Sequence, residues 1–225
     1  MNKNFEKITG KKYIGSRDID IGFQIHRNWT EEQLKKSKFS VAIKQIEDMG
    51  FRSVSFRLVK DFDLETGKEL TLTESAKLPQ YQIFNLFVDP IVDYIHPKIK
   101  HVLGFVPIDE PLLYLVFTKK LSTTLRLFGT NVMLPKAHTL LAMKLNSVIN
   151  RDQEHKRIKD IADIYAILWF SDMKITELKD HLFRIYPEEK ARKTVRSFSK
   201  EEISRVSTAI GVNAREISRV FAELR

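Results

Sequence analysis

Cysteine is absent from this chain of 225 residues. That excludes disulfides, iron–sulfur clusters, thiolate zinc sites and cysteine nucleophiles together, and it accords with a reducing, cytoplasmic setting, the expected location. Glycine and proline are few, at 8 and 7 residues, which argues against global disorder. No apolar run approaches the roughly 20 residues that a membrane-spanning helix needs. The longest, PLLYLVF from Pro111, is strand-sized, so no membrane association is expected. The opening MNKNFEKITGKK is polar and lacks the apolar core of a signal peptide. No internal repeat or low-complexity tract is visible.

Hydrophobic residues make up 43% of the chain, enough for a sizeable core, and charged residues 30%. The length suits one domain with a modest helical appendage. A formal charge of +9 favours an anionic partner such as nucleic acid or a nucleotide, although many soluble proteins of similar charge bind neither.

The hydrophobic pattern divides the chain at 134/135. Within residues 12–26, Ile19, Ile21 and Phe23 alternate with Asp18, Asp20 and Gly22, which predicts a strand with its isoleucines in the core. Thr30 followed by Glu31 and Glu32 predicts a helix start, with the helix running to Met49 and ended by Gly50. Strands are expected at 51–60 and 81–89, the second stopped by Pro90. Between them LETGKE reads as a hairpin tip. Further strands are expected at 112–117, 123–128 and 130–134. From Pro135 the period becomes helical, with helices to Asn150, over 155–170, and two or three more in 173–225. The fold class is therefore α+β, with a mixed core in 1–134 and a helical region in 135–225.

Asp18 and Asp20 stand two residues apart in a strand, so both carboxylates share one face. Paired carboxylates repel and are suited to a hard divalent cation, Mg²⁺ or Mn²⁺, with phosphates completing its shell. A third carboxylate would allow two cations to bind, as phosphoryl and nucleotidyl transfer uses them. Asp89, ending an apolar strand, is the leading third member, and Asp93 the weaker substitute. Asp61 and Asp63 repeat the spacing beside a glycine turn and read as surface charge. DxD is common by chance, and on spacing alone the Asp18–Asp20 pair reads as a half-exposed strand facing solvent, with Arg17 able to pair with either carboxylate.

In the helix after Pro135, Lys144 is flanked by Met143 and Leu145, and Arg151 follows seven residues later, about two turns on. A lysine there either snorkels or serves an anion. Lys156, Lys159, Asp160 and Asp163 share a face of the next helix. His26, His138 and His155 lack metal-ligand spacing. Residues 201–221 have the pattern of a helix-turn-helix, turning at Ile210-Gly211-Val212-Asn213, with Val206, Ile210, Val212, Ile217 and Val220 inward and Ser218 and Arg219 on the second helix. A plain helical hairpin satisfies the same pattern. Lys190, Arg192, Lys193 and Arg196 form a basic run, either a solvated face or a nucleic-acid face.

The stretch LPKAHTLLAMKLNSVINRDQEHKRIKDIADIYAIL (134–168) resembles the helix pair of AbiEii-type nucleotidyltransferases, the MNT-like branch of the DNA polymerase β superfold found in abortive-infection and type IV toxin–antitoxin systems. Pro135, Lys144, Arg151, Lys159, Asp160, Asp163 and Tyr165 match its pattern in order. SRDIDIGF (16–23) is similar to the family's DxD strand, and YQIFNLFVD (81–89) to the strand ending in VD. The resemblance covers roughly residues 12–170.

It implies a nucleotidyltransferase-type mixed sheet with flanking helices, followed by a helical region. It also implies Asp18, Asp20 and Asp89 as metal ligands, Lys144 at the nucleotide phosphates, Arg151, Lys159 and Asp160 around the nucleotide, and Asp163 as a structural residue. The implied activity is Mg²⁺-dependent (or Mn²⁺-dependent) transfer of a nucleoside monophosphate from an NTP to a hydroxyl. A close relation would make the chain a toxin, with tRNA or another nucleic acid as acceptor and an antitoxin protein as partner. Family members also carry a GG or GS turn and a helix ahead of the DxD strand. Here about a dozen residues precede that strand, and Gly15 and Ser16 stand too near Asp18 to form such a turn. The expectation is a core truncated or divergent at its start. The alternative function is an inactive protein of the same fold that binds nucleic acid or a protein partner.

Overall fold

The computed structural model describes residues 2–14, 18–127 and 129–225, which places Gly15, Ser16 and Arg17 outside the described residues. The packing separates two compact units, residues 16–114 and residues 1–15 with 115–225. That border differs from the change of hydrophobic pattern at 134/135.

In the 16–114 unit, β1 (Asp18–Phe23) precedes α2 (Glu31–Lys35) and α3 (Lys38–Asp48); α1 belongs to the other unit. Thr30 starts α2 through a capping box, its hydroxyl accepting the Gln33 amide while Gln33 accepts the Thr30 amide. The single helix expected to Met49 is broken because Ser37 accepts the Ser40 amide and begins a second one. The strand expected over 51–60 is a hairpin of β2 (Arg52–Val54) and β3 (Arg57–Asp63), turned at Ser55 with φ 58°. The LETGKE tip joins β3 to β4 (Glu69–Leu70), and Asp63 organises it by accepting the Glu65 and Thr66 amides at 3.1 and 2.7 Å.

After α4 (Leu72–Ser75), β5 (Ile83–Val92) runs straight through Pro90. Its pairing with β3 ends at Val88, so at Pro90 no strand on that side requires an amide donor. Then come α5 (Ile99–Leu103), β6 (Ile108–Asp109) and α6 (Leu113–Thr118). PLLYLVF thus forms a helix where a strand was expected. Pro111 suits a first helical turn, and a short apolar run has no period that separates the two.

The sheet order is β1-β5-β3-β2, with β4 on β3 and β6 on β5; β1 and β5 are parallel, β3 and β5 antiparallel. One face carries Leu58, Val88 and Val92 into a core shared with Leu34, Phe39, Ile43 and Ile99 from α2, α3 and α5, and Ile21 and Phe23 pack against it. Ile19 departs from the expected pattern, being 47% exposed at the start of an edge strand. Since side chains alternate across a sheet, Asp18, Asp20 and Asp89 all lie on the opposite face.

The other unit holds α1 (Asn2–Thr9), the hairpin of β7 (Ser122–Leu127) and β8 (Thr130–Pro135), and the helices α7 (Ala137–Val148), α8 (Glu154–Phe170), α9 (Ile175–Phe183), α10 (Glu188–Arg196), α11 (Lys200–Ile210) and α12 (Ala214–Ala222). α8 is its axis: Ile161, Ile164, Tyr165, Ala166 and Phe170 are buried, and α1, α7, α11 and α12 pack on it. Gly211, left-handed at φ 66°, and the Asn213 cap form the turn between α11 and α12, and the five inward positions expected there are all buried. No helix among the described residues is long and apolar enough to cross a membrane.

Phe5 of α1 is fully buried, edge-on to Tyr13 and Phe170 at 5.2 and 4.9 Å. Phe5→Ala should lower the unfolding free energy by about 3–5 kcal/mol, read as a shifted urea midpoint. An unchanged midpoint would show that α1 adds nothing to the helical core.

Candidate active site

The parallel β1–β5 register sets Asp20 directly beside Asp89 and Asp18 beside Phe87. Paired positions on neighbouring strands point the same way, about 4.8 Å apart, so the DxD pair and Asp89 occupy two adjacent rows of the face opposite the core. The antiparallel β3–β5 register, which pairs Leu58 with Val88, brings Arg57 to the far side of Asp89. Arg57 Nη2 donates to Asp89 Oδ2 at 2.6 Å and lies 3.8 Å from Asp18 Oδ1. Its guanidinium carbon lies over the Phe87 and Phe56 rings, 4.3 and 5.1 Å from their centroids. Asp89 is buried, whereas Asp20 is exposed.

Among the described residues, no group of three or more His, Asp or Glu side chains has metal-ligand geometry. Carboxylate oxygens are the donor type that a hard divalent cation takes, and the three aspartates lie in adjacent rows of one face. Arg57 is a cation that Asp89 accepts from in this arrangement.

Asp93, the weaker third ligand, is engaged elsewhere: its Oδ1 accepts the Ile25 amide at 2.7 Å. Burial raises its pKa, and that hydrogen bond partly offsets the rise. Asp61 corrects the sequence expectation. It lies within β3, is only 5% exposed, and is bonded to Arg52 at 2.6 Å and Asn85 at 2.7 Å. A buried, paired aspartate on an alternating strand is indistinguishable in sequence from a surface one beside a turn.

In the helical unit the matched residues converge. Asp160, 2% exposed, accepts from Lys144 Nζ (2.8 Å), Arg151 Nε (2.6 Å) and Ser147 Oγ (3.3 Å). Asp163 accepts from Tyr13 (2.6 Å) and Lys159 (3.1 Å), and Lys144 lies 2.8 Å from its Oδ2. Two buried aspartates thus bridge α7, α8 and the segment after α1. Burial works against a charged Lys144, but the facing Asp163 and Asp160 outweigh it and hold its pKa above the usual lysine value. Burial likewise opposes ionisation of Asp163, yet Lys144 and Lys159 hold its pKa low. Tyr13 is pushed up by burial and then by Asp163, so its phenol stays protonated. Tyr165 is buried, with its hydroxyl 3.4 Å from Glu216.

His138 stacks on His181, and His26 packs at a tilt against Trp29, consistent with ordinary packing histidines. Of the helix-turn-helix positions, Arg219 lies over the Trp169 ring at 4.6 Å, and Ser218 bonds within its own helix. In the basic run, Lys190 donates to Asn146 and Arg192 to Glu188. Sequence reasoning missed Arg57, Ser147 and Tyr13. Arg57 becomes visible only once the β3–β5 register is known, and nothing in the sequence links Tyr13 to Asp163.

The fold is a mixed sheet with flanking helices and a helical region after it, and its DxD strand lies beside a third aspartate. The family model described as nucleotidyl transferase AbiEii toxin, type IV TA system, matches residues 15–218, and the chain belongs to that family. No curated protein matches the chain, and no solved structure does.

Asp160→Asn leaves Lys144 and Arg151 without their shared counter-charge and should cost about 3–5 kcal/mol of stability in urea unfolding; a loss under about 1 kcal/mol would show that the cluster is not a clamp. The lowered pKa of Asp163 means its contribution is present above the unfolded carboxylate value, about 4, and fades as pH falls through the folded one. The urea-midpoint gap between wild type and Asp163→Asn should therefore hold at neutral pH and narrow progressively in acid. A gap that stays constant to pH 2 contradicts the assignment.

Proposed function

We propose that this chain transfers a nucleoside monophosphate from an NTP to a hydroxyl acceptor. The observation that carries the proposal is the row of Asp20 beside Asp89, with Asp18 one row away, on the face that the core does not use. Asp18 and Asp20 are the ligands for Mg²⁺ or Mn²⁺, and Asp89 is the third. Such a cation, when bound, lowers the pKa of the attacking hydroxyl and neutralises charge on the departing pyrophosphate. The hydroxyl oxygen bonds to the α-phosphorus as the bond to the β-phosphate oxygen breaks, and Asp89 is the carboxylate at hand for the acceptor proton. The helical unit adds a cluster of its own in which Lys144, Arg151 and Lys159 face Asp160 and Asp163, an excess of one positive charge. Lys144 is the residue proposed for nucleotide phosphates, with Arg151, Lys159 and Asp160 proposed around the same nucleotide, and Asp160 and Asp163 hold the Lys144 ammonium.

Membership of a toxin family supports a toxin role, with an antitoxin as protein partner and tRNA or another nucleic acid as acceptor, in the cytoplasm. The ion pair of Arg57 with Asp89 favours a second reading, a binding protein that keeps the fold without the chemistry.

Calorimetric titration of ATP, CTP, GTP and UTP with Mg²⁺ separates the two. Binding should be Mg²⁺-dependent and fall at least tenfold in Asp18→Asn/Asp20→Asn, with an unchanged far-UV spectrum. Nucleic-acid binding that the double variant retains, with no NTP bound by wild type, would favour the binding protein.

A further inference from the structure

Arg57 enters the carboxylate row by register, on the side of Asp89 away from Asp20. Its hold on Asp89 uses a single bond, Nη2 to Oδ2 at 2.6 Å. The stronger arrangement would be a bidentate fork with two parallel N–H bonds. Arg57 Nε is instead buried with no hydrogen-bond partner among the described residues, and buried N–H groups in that state are rare. Arg57 Cζ lies over the Phe87 and Phe56 rings, 4.3 and 5.1 Å from their centroids, and such cation–π contacts are less directional than a hydrogen bond. A monodentate, ring-supported guanidinium is a cation built to be exchanged.

Charge points the same way. Arg57 brings a positive charge to the face that carries Asp18, Asp20 and Asp89. A divalent cation arriving at Asp89 meets the guanidinium at hydrogen-bond range of the same carboxylate, and like charges at that distance repel strongly outside bulk water.

Resting on the transferase reading, we propose that Arg57 is a positioning residue: it holds Asp89 while no divalent cation is bound and cedes it when one arrives, so that it sets the site's affinity for metal. Arg57 acts through Asp89 and touches no reacting atom. Its positive charge, rather than its shape, governs the exchange.

The test uses Mn²⁺ alone, with free ion followed by electron paramagnetic resonance, on the full chain as wild type, Arg57→Gln, Arg57→Lys, and Asp18→Asn/Asp20→Asn. Arg57→Gln should bind Mn²⁺ about tenfold or more tightly than wild type, and Arg57→Lys should stay near wild type. Thermal melting supplies a second readout. Arg57→Gln should melt below wild type without metal and gain more from Mn²⁺ than wild type does. Equal or weaker Mn²⁺ binding by Arg57→Gln, with wild type binding and the double aspartate variant not binding, overturns the inference and leaves the transferase site standing. No Mn²⁺ bound by wild type or any variant removes the metal site and this inference with it.

Discussion

The buried carboxylate of Asp160 is the constraint on which the helical unit depends. It accepts from Lys144 and Ser147 on α7 and from Arg151 just beyond it, so one group on α8 fixes the register and rotation of the neighbouring helix. A charge with so little exposure is tolerable only when its lone pairs are filled, and here they are filled entirely from one helix and its C-terminal extension. Asp163, one turn on, repeats the arrangement with Lys159, Lys144 and Tyr13, which ties the segment after α1 to the same point. The apolar packing of Ile161, Ile164 and Phe170 stabilises α8 without regard to its rotation, whereas the ion cluster admits one setting.

The 16–114 unit solves a different problem, which is to gather negative charge without letting it destabilise the sheet. It places the three aspartates on the face opposite the hydrophobic core. Two arginines on the same face, Arg57 and Arg52, each take one buried aspartate, Asp89 and Asp61 respectively. Both pairs join neighbouring strands, so the counter-charges also lock the pairing of β5 with β3 and of β3 with β2.

Much of this was legible in the sequence, for specific reasons. The strand at Asp18 and Asp20, the Thr30 cap and the Gly211 turn are local signals, and each appears where it was expected, apart from the exposed Ile19. The helix pair was found through a spacing of residues that the ion cluster requires, since Lys144, Arg151, Lys159, Asp160 and Asp163 meet only if two helices pack side by side. Three features were hidden. Ser37 interrupts a helix by a side-chain cap that competes with an otherwise continuous period. PLLYLVF is too short for periodicity to distinguish strand from helix. Arg57 and Tyr13 reach their partners across the tertiary fold, by strand register in one case and by a chain return in the other, and neither has a signature in the residues around it.

The parallel pairing of β1 with β5 has a consequence for how the protein comes to possess its acidic face. β3 meets β2 and β4 through short turns, whereas β1 finds its partner among the described residues only after every intervening strand of the sheet has been made. Closing such a distant pair comes at a late stage of assembly because its entropic cost falls before its contacts form. During synthesis Asp18 and Asp20 therefore leave the ribosome long before Asp89 exists to join them. The carboxylate row is a property of the finished unit, and a nascent chain interrupted ahead of β5 carries the aspartate pair without the site.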